Sequence, residues 1–317
     1  MNRVAHIIHL DYARRQQLTG KGIGIAIFDT GVAWHPDLNL SGDSAGLVDF
    51  IDTLHGRKHY YDDNGHGTHI TGILAGNGSS NGRMLNGIAP DCHYVMIKVL
   101  NERGEGNTEN VLAGIDWLMK NYERYNIRIV NISVGSTRGK HFGEDSPLVQ
   151  GVNRLWSAGL NVFTAAGNHG PDPYTIGAPG NSRKIVTVGS SDITKYQRER
   201  DYSGRGPTES CVKKPDIVAP GTSIVSCYPM APSGGQRVVA VVSREKPEYY
   251  NGAAYVARTG TSMATPIVSG CVALLLQKYP SLTNKEVKLR LRNTALSLGF
   301  PHARQGWGLI QCNRLLR

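Results

Sequence analysis

The sequence predicts an α/β fold, a mostly parallel β-sheet flanked by helices on both faces. Three observations predict it. Apolar runs of strand length recur along the chain, amphipathic segments of helix length separate them, and several runs end in a polar residue beside a glycine. Strands covered on both faces read as continuous apolar runs, and parallel neighbours need a helical crossover between them.

In chain order, GIGIAIF (22–28) reads as the first buried strand. DDNGHGTHITGILAG (62–76) then opens an apolar helical pattern, and HYVMIKVL (93–100) is the next strand. In TENVLAGIDWLMKNYERY (108–125), Val111, Leu112, Ile115, Leu118, Met119 and Tyr122 share one helical face. IRIVNISV (127–134) is a strand, PLVQGVNRLWSAG (147–159) a helix stopped by glycine, and LNVFTAA (160–166) and KIVTVG (184–189) are strands. From Tyr228 to Arg258 the rhythm breaks into PMAPSGGQ, a Val-rich strand VVAVV (238–242), the charged turn SREKPE and the aromatic YYNGAAY. An inserted hairpin or long loop at about 229–257 is expected there. A long apolar helix begins at Ser262. Thr283 and Glu286 then form a capping box for a charged helix in which Val287, Leu289 and Leu291 alternate with basic residues. No repeat or linker divides the chain, which reads as one domain over 1–317.

Composition narrows the function classes. Of 317 residues 40% are hydrophobic and 19% charged, enough for a sizeable core, and no run approaches the ~20 apolar residues of a membrane span. The opening MNRVAHIIHLDYARRQQ lacks the apolar core and small-residue cleavage site of a secretory signal, so a cytoplasmic location is expected. The five cysteines are scattered without CxxC or Cys/His ligand spacing and read as small buried hydrophobes. A net charge of +10 permits an acidic partner, but no aromatic residues interleave the basic stretch 285–293, and nucleic acid is not expected as a partner.

Polar residues at the carboxyl ends of parallel strands are where ligands collect. Asp29, Asn131, Ser133 and Asn168 stand there, each near a glycine. Two helix starts carry His66 and Ser262. Ser262 reads either as a helix cap or as a nucleophile beside unpaired amides. His66 and His69 lack the glutamate and the i, i+4 spacing of a zinc helix, and no third ligand is evident. A carboxylate, an imidazole and a hydroxyl in the order Asp29, His66, Ser262 are what acyl transfer needs, with Asn168 as an oxyanion donor.

Taken together, these motifs resemble the subtilase family of serine proteases. FDTGV, NGHGTHITG, AAGN and GTSMATP are similar to its aspartate, histidine, oxyanion and serine motifs. HPDL, GIAP, KVLNERGEG, NISVG, YSGRGP, KPDIVAPG and WGLI follow in the family's order, so the resemblance runs from about Leu18 to Leu309. It implies a subtilisin-like three-layer sandwich and a serine endopeptidase with catalytic Asp29, His66 and Ser262. The oxyanion donors would be Asn168 and the amide of Ser262. The alternative is a catalytically silent protein of the same fold acting as a binding or regulatory protein.

The resemblance also implies subsites. Ser133, Val134 and Gly135 would form one wall of the first pocket, Ala165, Ala166 and Gly167 the other, and Gly177 its floor, which suits a large apolar P1 side chain. Gly104, Glu105 and Gly106 would pair with substrate as an edge segment, Glu105 favouring basic residues at P2 or P4. No cofactor is required for catalysis. Structural calcium is expected at most weakly, at Asp37 or Asp216, because the loop NGSSNGRMLNG (77–87) carries no carboxylate for the family's tight site. If the chain is complete, it is expected to fold without the long propeptide of secreted members or with a very short one. Peptides or unfolded proteins are the expected partners, with no membrane.

Overall fold

The computed structural model describes residues 1–42, 45–135, 143, 145–192, 201–231 and 246–317. The expected strand at 238–242 lies outside the described residues. Ten strands are present among them: β1 (Gly24–Asp29), β2 (Gly46–Asp52), β3 (His93–Lys98), β4 (Ile127–Ile132), β5 (Asn161–Ala165), β6 (Val186–Ser190), β7 (Ile217–Ala219), β8 (Ile224–Cys227), β9 (Glu248–Tyr250) and β10 (Ala253–Arg258). The helices are α1 (Asn2–Ile7), α2 (Asp11–Arg15), α3 (His66–Ala75), α4 (Thr108–Asn121), α5 (Pro147–Ser157), α6 (Thr261–Lys278), α7 (Asn284–Thr294), α8 (His302–Gln305) and α9 (Cys312–Leu315).

Seven strands form one sheet in the order β2-β3-β1-β4-β5-β6-β7, every pair parallel. β1 lies inside the sheet, between β3 and β4, and is buried at each residue, as a strand covered on both faces must be. Its alternate side chains serve two cores. Ile25 and Ile27 join the apolar cluster of α3 and α6, whereas Ala26 and Phe28 join the cluster of α4 and α5. The strand order reverses between β1 and β4, and crevices at such switch points are where open α/β sheets bind ligands.

The expected strands and helices appear with ends shifted by a few residues. The reading missed β2, β7 and β8 and the short helices α1, α2, α8 and α9. β2 is an edge strand whose apolar run is broken by Asp49, and β7 has only three residues. Of the hairpin or long loop expected at about 229–257, the described C-terminal part is a hairpin. β9 and β10 form a hairpin, and β10 pairs with β8 in a second, antiparallel sheet. Ala253 faces Tyr250, so the turn is Asn251-Gly252, with φ of 48° and 79°. Two successive positive φ angles make the two-residue hairpin turn that Asn-Gly favours.

Candidate active site

Asp29 is the last residue of β1, and its Oδ1 lies 2.7 Å from His66 Nδ1. Asp29 Oδ1 also accepts the Thr30 amide at 2.7 Å. His66 opens α3. The second residue of that helix is Gly67, where a Cβ would stand 2.0 Å from the Gly31 carbonyl oxygen. Only glycine lets the helix start press on the β1 exit closely enough for His66 to reach Asp29.

Asp62 holds this junction. Its Oδ1 accepts the Gly65 amide at 2.8 Å and the Thr30 hydroxyl at 2.9 Å, and its Oδ2 accepts the Thr68 amide at 2.8 Å and hydroxyl at 2.6 Å. Burial works to raise the Asp62 carboxyl, but the donors of Thr68, Gly65 and Thr30 outweigh it and hold the group below its ordinary value. Thr30 Oγ1 in turn accepts the Gly67 amide at 2.8 Å. Lys98, fully buried, donates to the Thr30 carbonyl and to Asp63. The sequence reading missed Asp62 and Lys98. The signal for Asp62 was there, an acid just before the glycine that starts the histidine helix.

His69, three residues on, faces away from Asp29. Its Nε2 lies 3.0 Å from the Ile224 carbonyl and 3.1 Å from that of Val256, tying α3 to β8 and β10. Burial first, then the charges of Arg258 and His66, push it well below the ordinary imidazole value. It is a neutral brace, not a metal ligand beside His66.

Ser262 stands in the first turn of α6, and its Oγ donates to the Ser133 carbonyl at 2.8 Å, not to His66. Ser133 Oγ donates back to the Ser262 carbonyl at 3.1 Å. That carbonyl is available because Pro266, one turn further, has no amide to give it. Asn168 Oδ1 accepts the Thr261 amide at 2.9 Å and the Thr261 hydroxyl at 3.1 Å. Since Thr261 N–H can only donate, the Asn168 amide oxygen is fixed on the helix start, and Nδ2 is left as the donor. His66, Asn168 and Ser262 line one cleft of about 670 Å³ with Asn64, Glu102, Arg103, Arg258 and Met263.

The expected subsite residues divide. Ser133 and Ala166 are buried, Val134, Gly167 and Gly177 are half-buried and Gly135 is exposed. They lie at the ends of β4 and β5 and in the segment after them, and none lines the cleft around Ser262. Gly104, Glu105 and Gly106 belong to a tight turn in which Asn101 Oδ1 accepts the Glu105 amide at 3.0 Å. It is Glu102 and Arg103 from this turn that reach the cleft, in place of Glu105. Neither these two nor Arg258 was singled out from the sequence, because cleft walls are made by residues far apart along the chain.

The two calcium candidates are surrounded by donors. Asp216 Oδ2 accepts Lys214 Nζ at 2.5 Å and the Thr187 amide at 2.8 Å, and Lys288 Nζ stands 3.8 Å from Oδ1. Ammonium groups therefore stand where cation ligands would be needed. Asp37 accepts the Ser80 amide, the Asn81 amide group and the Tyr255 hydroxyl. Among the described residues one further group of ligand atoms stands close together, His35, Asp37 and Cys227, within 4.8 Å of one another. His35 is already committed, its Nδ1 to the Asp37 amide at 3.1 Å and its Nε2 to the Ala254 carbonyl at 2.9 Å.

Residues 20–308 match the profile described as the subtilase family. The chain belongs to the subtilase family. This subtilase is 40% identical over 289 residues to the serine protease AprX of Bacillus subtilis (strain 168), covering 88% of this chain and 62% of that protein's length. It is 32% identical over 305 residues to subtilisin Savinase of Lederbergia lenta, across 96% of this chain and 94% of the relative. The crystal structure of a cold-adapted subtilisin-like serine proteinase superposes with a TM-score of 0.69 at 26% identity, covering 93% of this chain and 90% of that one. The parallel sheet with helices on both faces is thus the subtilisin-like fold expected from the sequence.

Proposed function

We infer that this subtilase is a serine endopeptidase in which Asp29, His66 and Ser262 act as orienting carboxylate, base and nucleophile. The observation that carries the reading is the 2.7 Å Asp29–His66 bond at the cleft that Ser262 and Asn168 also line. With Nδ1–H given to Asp29, the neutral imidazole keeps Nε2 as an acceptor. Ser262 Oγ turns from the Ser133 carbonyl, passes its proton to His66 Nε2 and attacks the scissile carbonyl carbon. The oxyanion formed is met by Asn168 Nδ2 and the Ser262 amide at the start of α6. His66 then gives the proton to the leaving amine, and water hydrolyses the acyl-enzyme through the same groups in reverse. A catalytically silent relative is not favoured, because all four groups are present.

The substrates are peptides or unfolded protein chains. A large apolar P1 side chain is preferred beside the cleft, supported by Ser133, whose carbonyl meets Ser262 Oγ at 2.8 Å, and by the small Gly135, Ala166, Gly167 and Gly177, with no acid among them. Glu102, at the cleft, takes over the role first expected of Glu105 in favouring basic residues on the acyl side. A reducing compartment such as the cytoplasm suits five free cysteines, one of them the exposed Cys211. A fluorophosphonate probe followed by peptide mapping tests the reading. Label on the Ser262 peptide is expected. A folded protein that labels elsewhere or not at all would overturn the assignment.

A further inference from the structure

We infer that the loop after α3 is fastened by a tyrosine–asparagine latch built on Asp37, at the place where the family resemblance puts a tight calcium ion. Asp37 is 1% exposed, and both of its oxygens are engaged. Oδ1 accepts the Ser80 amide at 2.8 Å and the Ser79 hydroxyl at 3.3 Å, and Oδ2 accepts the Tyr255 hydroxyl at 2.6 Å and Asn81 Nδ2 at 3.0 Å. The same Nδ2 donates to the Tyr255 oxygen at 2.7 Å, which closes a triangle of three buried side chains.

The orientation of Asn81 decides against a cation. Its Oδ1 accepts the Leu85 amide at 2.8 Å, so its NH₂ group must face Asp37. Calcium takes roughly six to eight oxygen ligands at about 2.3–2.6 Å. Here the carboxylate meets two nitrogen donors, whose hydrogens repel a cation, and loop 77–87 offers no second carboxylate. A buried carboxylate needs opposing charge or several donors, and the latch supplies four donors from the chain itself.

Tyr255 lies on β10, so the clasp comes from the hairpin that interrupts the α/β rhythm. A second tie runs the same way, from Asn251 Nδ2 in the hairpin turn to the Ser80 carbonyl at 2.8 Å. His35 packs edge-on against the Tyr255 ring at 5.0 Å. The hairpin thereby fixes the loop that leaves α3, whose other end carries His66.

Stability is the readout, so the test is independent of the peptidase reading. It is run in a Ser262→Ala background, which removes self-digestion. Loop 77–87 contains Arg83, a site for trypsin. Unfolding midpoints in EDTA and in millimolar calcium or zinc chloride should coincide. Tyr255→Phe should lower the midpoint by roughly 2–5 °C and speed tryptic cleavage after Arg83 about ten-fold or more. If Tyr255→Phe is not recovered folded, Asn251→Ala, at the exposed turn, should show the same faster cleavage. A metal-dependent rise in midpoint that vanishes in Asp37→Asn would overturn the latch. So would Tyr255→Phe, or Asn251→Ala in its stead, being cleaved like its parent. A metal effect that survives Asp37→Asn lies elsewhere and leaves Asp37 to the latch.

Discussion

Ser262 and Ser133 exchange two hydrogen bonds, and a proline makes that exchange possible. Pro266 withholds the amide that would occupy the Ser262 carbonyl, so Ser133 takes it at 3.1 Å and accepts the Ser262 hydroxyl at 2.8 Å in return. The Ser262 hydroxyl is therefore parked at the end of β4, with its hydrogen satisfied by the Ser133 carbonyl. Ser262→Ala should lower turnover about 10⁶-fold, the magnitude known for a subtilisin, while the unfolding midpoint stays near the parent's. Kinetics on a chromogenic peptide anilide measure the first and calorimetry the second. Asn168→Ala should cost about 10²–10³-fold in kcat, a figure also taken from a subtilisin, with little change in KM, because the donor acts on charge present only in the transition state. An equal loss through KM alone would contradict an oxyanion role.

At the scale of elements, the start of α3 is the decisive joint. Asp62 gathers the Gly65, Thr68 and Thr30 donors in the interior and so sets where His66 begins. Its carboxyl is held below the ordinary value of 3.8. A group depressed on folding contributes stability that is fully present above its unfolded value and is lost as pH falls through the folded one. Stability should accordingly decline on acidification below about pH 4. Asp62→Asn should be less stable at pH 7 by about 1–3 kcal/mol and show a shallower decline with acid. Unfolding midpoints between pH 6 and 3 check this, and parallel curves for parent and variant would remove Asp62 from the account. The same variant should lose turnover, since His66 is the next element of the joint.

For the whole molecule, the sheet's switch point brings the ends of β1 and β4 together, and α6 delivers Ser262 beneath them. The core that makes this possible also hides most thiols. Cys92, Cys227, Cys271 and Cys312 are buried, and only Cys211 is exposed. Burial pushes the Cys92 thiol up to about 12 and those of Cys227 and Cys271 well above the ordinary value, which leaves them protonated and unreactive. Cys271 of α6 and Cys312 of α9 share a buried thiol–thiol hydrogen bond at 3.2 Å. A chromogenic disulfide reagent should titrate one thiol in the native protein, at Cys211, and five after denaturation. Fewer than five on unfolding without reductant would mean that a disulfide joins a pair, and Cys271–Cys312 is the pair in contact.

By itself the sequence determined the alternation of β1, β3, β4, β5 and β6 with α3, α4, α5 and α6, and the identity of the candidate catalytic groups. Buried strands and amphipathic helices write their periods into consecutive residues, and glycines mark where backbones must meet, as Gly67 meets Gly31. The Asn251-Gly252 turn was equally local and went unread. Edge strand β2 stayed hidden because the half-buried Asp49 breaks its apolar run. Only the tertiary structure decided that Ser262 rests on Ser133, that Glu102, Arg103 and Arg258 make the cleft wall, and that Tyr255 reaches Asp37. Those contacts join segments a hundred or more residues apart along the chain, or loop residues whose reach depends on the turn they sit in. No local pattern encodes them, since they exist only once the sheet order has brought the segments to the same edge.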